Sequence, residues 1–147
     1  MNQVIDPINI RKATSLDIAY IRKLPVQLTH PSAERLLPKQ LRMMMQVPDH
    51  ELRVIRQEQR VAAFLAIQFV PARDSAMRFL LIRHLAVDRF ALDRGSAAEM
   101  EEYATEIASE IACPAVLVRG ASLSGSAMKF YRERGYVEEG SVLIKRI

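Results

Sequence analysis

The stretch that decides the fold is RFLLIRHLAVDRFALDRGSAAEMEEY, Arg78 to Tyr103. Its first part, RFLLIRHLAV, is almost continuously apolar, as a strand buried on both faces should be. Past Ser96 the period changes. Met100, Tyr103, Ala104, Ile107 and Ile111 recur at helical spacing and predict the inner stripe of a long helix to about Ala112, with Glu101, Glu102, Glu106 and Glu110 toward water. Between strand and helix lies a turn of small residues, Gly95-Ser96-Ala97. Such a turn lets an anion reach the free N–H groups of a helix start, where the helix dipole adds partial positive charge. Ser96 and Glu99 also read as a capping box, the simpler reading, which would consume the same donors. Asp93 reads as a favourable charge near a helix N-terminus.

Downstream, PAVLVRG reads as a second buried strand, and SGSAMKFYRER as a helix closed by Gly135, a residue suited to the left-handed C-terminal position. SVLIKRI supplies a last strand. If the two buried strands are parallel neighbours, both strand-to-helix junctions open at one edge of the sheet, where ligands tend to sit. Upstream, INIRKAT (Ile8, Ile10) alternates as a short first strand. Thr14 or Ser15 then caps a helix carrying Ile18, Ile21 and Leu24, which Pro25 ends. A second helical region carries Leu36, Leu37, Leu41, Met44 and Met45, with Pro38 expected to kink or divide it. ELRVIRQ and RVAAFLAIQFV read as a β-hairpin with a turn lacking glycine, followed by a loop from Pro71 to Met77. Hairpin strands first and strand–helix alternation later predict an α+β fold, a mixed α/β sandwich around one sheet.

The chain has 147 residues, a length that favours one domain, 1–147. No apolar run approaches the ~20 residues of a membrane span, and the N-terminus lacks the build of a signal peptide. A cytoplasmic location is the simplest expectation, with no membrane partner. The net charge of +4 is mild, its basic residues are scattered, and the five phenylalanines and four tyrosines do not alternate with them. Nucleic acid is therefore not expected as a partner. Cys113 is the only cysteine, and His30, His50 and His84 are too dispersed to suggest a metal site, so no metal is expected. Cys113 itself reads as a small buried residue.

Two motifs carry a resemblance. HLAVDRFALDRGSA has a strand ending in Leu85-Ala86-Val87, then a loop, then Gly95 and Ala97 on the small positions of a Q/R-x-x-G-x-G/A pattern. SGSAMKFYRERGY matches N-x-x-A-x-x-F-Y-x-x-x-G-F/Y at Ala127, Phe130, Tyr131, Gly135 and Tyr136, with Ser124 in place of asparagine. Together, in this order and separation, they resemble the GNAT superfamily of N-acetyltransferases, and the resemblance extends over essentially the whole chain. It implies the acyl-CoA N-acyltransferase fold: a mostly antiparallel sheet with a parallel pair splayed at the cofactor cleft, and helices on both faces. It implies acetyl-CoA as co-substrate and an amine of a small molecule or peptide as acceptor, joined by direct attack. The backbone of Leu85, Ala86 and Val87 would bind the pantetheine arm like an added strand. The turn from Leu92 and Asp93 through Arg94, Gly95 and Ser96 to Ala97 would hold the pyrophosphate. Ser124 and Ala127 would border the arm, and Tyr131 would protonate the departing thiolate as general acid.

Besides Ser124, the sequence departs from the family pattern at Leu92 and at Leu81. Leu92 stands at the Q/R position, and Leu81 stands where the central strand often carries a catalytic glutamate. These departures motivate the alternative of a GNAT-fold protein that binds CoA esters or a protein partner without catalysis. His84 is the nearest base candidate, although a hydrogen-bonded core residue is its commoner role. Tyr131 without the motif would read as a packed aromatic. Acceptor specificity would lie between Leu28 and Val47 and in the Pro71–Met77 loop, which hold no recognisable code, and the sequence leaves a homodimer open.

Overall fold

The strand β1 (Ile10–Lys12) pairs antiparallel with β3 (His50–Gln57), and β3 turns straight into β4 (Arg60–Pro71). The turn has no glycine, so Glu58 takes a left-handed conformation, φ 58°, of the kind tight hairpins demand at a central position. β4 is in turn antiparallel to β5 (Arg78–Val87). The computed structural model describes residues 9–73, 76–93 and 95–147. Ile8 and the middle of the expected Pro71–Met77 loop therefore lie outside the described residues.

Before β3 come two short helices. Thr14 N–H donates to Asp17 Oδ2 at 2.8 Å, which fixes a 3-10 turn (Ser15–Asp17) leading into α1 (Ile18–Ile21). Asp17 is fully buried, and Arg11 at 3.0 Å and Arg56 at 3.3 Å neutralise it from β1 and β3. Pro38 divides the helical region expected from sequence: a 3-10 turn (Ala33–Arg35) ends before it, and Leu36 and Leu37 are extended. It is the first residue of α2 (Pro38–Gln46), where the missing N–H costs nothing. Leu41 of α2 is buried, whereas Leu37 and Met43 are exposed.

Two strands were not legible in the sequence: β2 (Val26–Gln27), directly after Pro25, and β7 (Val137–Glu139). After β5 come α3 (Arg89–Asp93) and the long α4 (Ser96–Glu110), then β6 (Ala115–Arg119), α5 (Gly125–Glu133) and β8 (Val142–Arg146). The strand order is β1-β3-β4-β5-β6-β8-β7, with β2 added on β5. Among the described residues every pairing is antiparallel except β5 with β6. The expected α+β architecture, with its single parallel pair and helices on both faces, is the observed one.

Alternation along the strands splits the core into two layers. Leu65, Ile67, Leu80, Ile82, Leu85, Val116 and Val118 meet Met100, Ala104 and Ala108 of α4 and Tyr131 of α5. On the opposite face, Leu52, Val54, Phe64, Ala66 and Ala86 meet Ile18, Ile21 and Leu41. Each large apolar side chain buried in these layers contributes roughly 1.5–3 kcal/mol.

Candidate functional site

Strands β5 and β6 run side by side only at Leu80↔Val116, Leu81↔Leu117 and Ile82↔Val118. Beyond that point β6 ends after Arg119, while β5 continues to Val87 with β4 on its other edge. A residue of β5 has no partner there: Ala66 faces His84 and Ile67 faces Ile82, so Arg83 is bulged out of the ladder. The two strands thus part, and the open side of β5 leads toward the start of α4.

Gly95 is the N-cap of α4, in the left-handed conformation at φ 83°, and it brings no side chain to the helix start. An added Cβ there would meet nothing within 4 Å, so the space beside this turn is open. The capping box expected from Ser96 and Glu99 is not formed. Glu99 N–H donates instead to Gly95 O at 3.0 Å, and Ser96 lies one residue inside the helix, buried. Ala97 is buried beside it, where a larger side chain would crowd the turn.

The open side of β5 is engaged by the chain itself. β2 pairs with it antiparallel, Val26↔Val87 and Gln27↔Ala86. Leu28 N–H donates to Leu85 O at 2.8 Å, and Leu85 N–H donates to Thr29 Oγ1 at 3.2 Å. Segment 26–29 is therefore a strap on the edge of Leu85–Val87, the backbone expected from sequence to receive a pantetheine arm.

Tyr131 sits on α5 in the core layer shared with Leu85, Val87 and Ala97, fully buried. Its ring packs edge-on against Phe130 and Tyr136, at 5.1 and 5.2 Å between centroids. Among the described residues its hydroxyl has no hydrogen-bond partner. Burial first, and the nearby Glu101 carboxylate second, push its pKa far above the usual phenol value, so it holds its proton. Ser124 caps α5, its Oγ accepting from Ala127 N–H at 3.2 Å, and Ala127 is buried.

His84 is 1% exposed. Its Nδ1 lies 3.1 Å from Pro31 O and donates to it, which leaves Nε2 as a buried acceptor without a partner. Burial and then the charge of Arg83 push its pKa down to about 4. The imidazole is neutral at neutral pH and weakly basic.

Glu101 corrects a sequence expectation. It does not face water: it is 1% exposed, and Oε2 accepts from Thr105 Oγ1 (2.8 Å), Tyr136 Oη (2.9 Å) and Lys145 Nζ (2.9 Å). The buried residues of α4 include Ala97, Met100, Glu101, Ala104 and Ala108; of the stripe expected from sequence, Met100 and Ala104 are buried, Tyr103 and Ile107 pack half-buried against the core, and Ile111 is exposed. Glu101 ties α4 to Tyr136 and to β8.

No protein-family model matches the chain, and no curated protein matches it in sequence. Solved structures do match it in shape. A chain of the NatC complex bound to Gag peptide and CoA is 16% identical with a TM-score of 0.73, over 94% of this chain and 97% of that one. A ribosomal-protein-alanine N-acetyltransferase from Brucella melitensis biovar Abortus is 15% identical with a TM-score of 0.69, over 90% and 93% of the two chains. A transcriptional regulator from Bacillus halodurans is 19% identical with a TM-score of 0.70, over 89% and 95%. The chain has the GNAT N-acetyltransferase fold. At these identities the likeness concerns the fold, and the varied names of its neighbours carry the same message.

Within the GNAT fold, the sequence-derived residues fall into three groups. Gly95, Ser96 and Ala97 stand at the start of α4, and Leu85, Ala86 and Val87 on the β5 edge beneath the strap. Ser124, Ala127 and Tyr131 stand on the first turns of α5. Arg94 and the side chains of Leu92 and Asp93 lie outside the described residues. Sequence reasoning missed the strap, Glu101, and the bulged Arg83. A glutamate between Ala97, Ala104 and Ala108 was the one signal that could have exposed Glu101, because small residues at that spacing mark a face in close contact.

Proposed function

We propose that the chain is an acetyl-CoA-dependent N-acetyltransferase acting on an amine of a small molecule or peptide. The observation that carries this reading is the parting of β5 and β6 after Ile82↔Val118, in front of the open helix start at Gly95. Fold neighbours support it: two are N-acetyltransferases, and another is a complex bound to CoA and a peptide. The chain's residues fit such a co-substrate. Among the described residues Tyr131 keeps a buried hydroxyl without a partner, and Gly95 brings no side chain to the turn.

Backbone N–H groups at Gly95, Ser96 and Ala97 hold the phosphates, helped by the dipole of a helix of 15 residues. The N–H and C=O of Leu85, and those of Val87 on the same edge, hold the pantetheine arm once segment 26–29 yields it. Ser124 and Ala127 border the arm at the start of α5. Acetyl-CoA supplies a thioester open to direct attack by an unprotonated amine. Tyr131, kept neutral by burial, donates a hydrogen bond to the sulfur that leaves and lends it a proton as general acid. His84, with a pKa of about 4, is a poor acceptor for the proton of an alkylammonium near pKa ~10.4. Turnover therefore rises with pH through the acceptor's own titration.

A second reading has its own observation. The strap on Leu85–Val87 satisfies the edge without any ligand, which suits a GNAT-fold protein that binds a partner or a CoA ester without catalysis. Calorimetry with acetyl-CoA, paired with thiol release over a panel of amines, separates the two. Binding with thiol release supports the enzyme; binding without release on any amine supports the second reading. No heat with millimolar acetyl-CoA and folded protein removes the first.

A further inference from the structure

The last parallel partners of β5 and β6 are Ile82 and Val118, and the next residue on each strand is an arginine: Arg83 and Arg119. The two arginines share a face. Val116 and Val118 point to the α4 layer, so Arg119 points away from it by alternation. Arg83, bulged out of the ladder, reaches Gln68 Oε1 at 3.0 Å, and Gln68 follows Phe64 and Ala66 on the α1–α2 face of β4. Together with Thr29, His30, Ile82 and Val118 they line a narrow cavity where the strands part.

Among the described residues, neither arginine makes an ion pair. Asp49, the carboxylate whose charge acts on Arg83, is hydrogen-bonded by His50 Nδ1 at 2.8 Å and Gln68 Nε2 at 3.3 Å. Arg83 faces His50 Nε2 at 3.4 Å rather than an acid. Half-burial and the like charge of Arg119 lower the Arg83 pKa, against an opposing pull from Asp49, in keeping with two guanidinium groups that see each other. A like-charged pair held at the mouth of a cavity is stabilised by an oxyanion, whose geometry the guanidinium fork matches.

We propose that Arg83 and Arg119 recognise an oxyanion, a carboxylate or a phosphate, carried by the amine acceptor. The assignment to the acceptor rests on the reading of the parted strands as the acetyl-transfer site. Arg83 lies four residues before Val87 on β5, about 13 Å at strand rise, so it is remote from the α4 turn that would hold the co-substrate's own phosphates.

Two measurements test it. The first needs no acetyl-CoA: calorimetric titration with malonate and with inorganic phosphate in chloride-free buffer. Saturable binding of either anion at millimolar concentration, weakened at least about tenfold in Arg119→Gln and in Arg83→Gln, supports the pair; about tenfold corresponds to ~1.4 kcal/mol. Arg119 is exposed, so its substitution leaves the fold intact and decides the matter if Arg83→Gln does not fold. Binding of neither anion, or binding indifferent to Arg119→Gln, overturns the proposal. The second compares β-alanine, O-phosphoethanolamine and ethanolamine in the thiol-release assay. Preference for the carboxylate amine or for the phosphate amine, lost in Arg119→Gln, names the anion. Equal or better turnover of ethanolamine overturns the proposal while leaving the acetyltransferase reading standing. Anion binding at the arginines without thiol release from any amine leaves the anion site standing but overturns both the acetyltransferase reading and the assignment of the anion to an acceptor.

Discussion

Replacing Thr29 by valine tests whether the strap and the co-substrate compete for one edge. Thr29 Oγ1 accepts the Leu85 N–H at 3.2 Å, and Thr29 is only 7% exposed. Valine keeps the shape of threonine but removes the acceptor, so the ligand-free protein retains a buried N–H with no partner. Such an orphan costs about 1–3 kcal/mol, and a bond at the long end of the range puts the cost at about 1–2. A pantetheine arm on the β5 edge offers Leu85 a new acceptor, so the bound state loses nothing. By linkage the whole cost appears as affinity, and about 1–2 kcal/mol is a factor of about 5–30.

Two assays read the two sides of this balance. Thermal unfolding without ligand should show Thr29→Val less stable, by about 2–4 °C for each kcal/mol in a chain of this size. Calorimetry should show acetyl-CoA binding about 5- to 30-fold tighter than to the unaltered chain. A drop in stability with affinity unchanged or weakened would refute the reasoning, because the edge that lost its bond would then not be the edge that binds.

Tyr131→Phe should lower kcat by about 100-fold or more while leaving the Kd for acetyl-CoA within about threefold, as removal of a proton donor does; equal turnover takes Tyr131 out of the reaction. His84 makes stability depend on pH. Its folded pKa, about 4, lies below the ordinary 6.5, so as pH falls through 6.5 the unfolded chain binds a proton that the folded chain refuses. Stability is therefore lost between about pH 6.5 and pH 4, by on the order of 3 kcal/mol, and denaturant titrations of His84→Gln should lack this slope. Glu101→Ala should destabilise by about 3 kcal/mol in urea unfolding, since it strands Lys145 and the Tyr136 hydroxyl; a change under about 1 kcal/mol would mean that water serves those donors equally well.

The fold was legible because its signals were local. A near-continuous apolar run in 78–87 meant a central strand, and the change of period after Gly95 meant a helix on its face. The pattern around Ala127 and Tyr131 placed the second helix in the same way. What escaped depends on contacts between distant segments. β2 is two residues long and has no alternation to read; it exists because Leu85 and Val87 offer an unpaired edge. Glu101 looked like one more exposed acid of α4, and only Tyr136 and Lys145, far along the chain, make its burial affordable. The capping box was a fair reading of Ser96 and Glu99, yet Gly95 can adopt φ 83° and so starts the helix one residue earlier. Arg83 gave no sign of its bulge, because an extra residue in a strand shows only against its partner.

The most direct test of the account is a crystal structure of the chain with CoA. The account predicts the pyrophosphate on the N–H groups of Gly95, Ser96 and Ala97, the pantetheine arm along Leu85–Val87, and segment 26–29 lifted from that edge. CoA bound elsewhere, or absent at saturating concentration while Thr29 still accepts from Leu85, would contradict it.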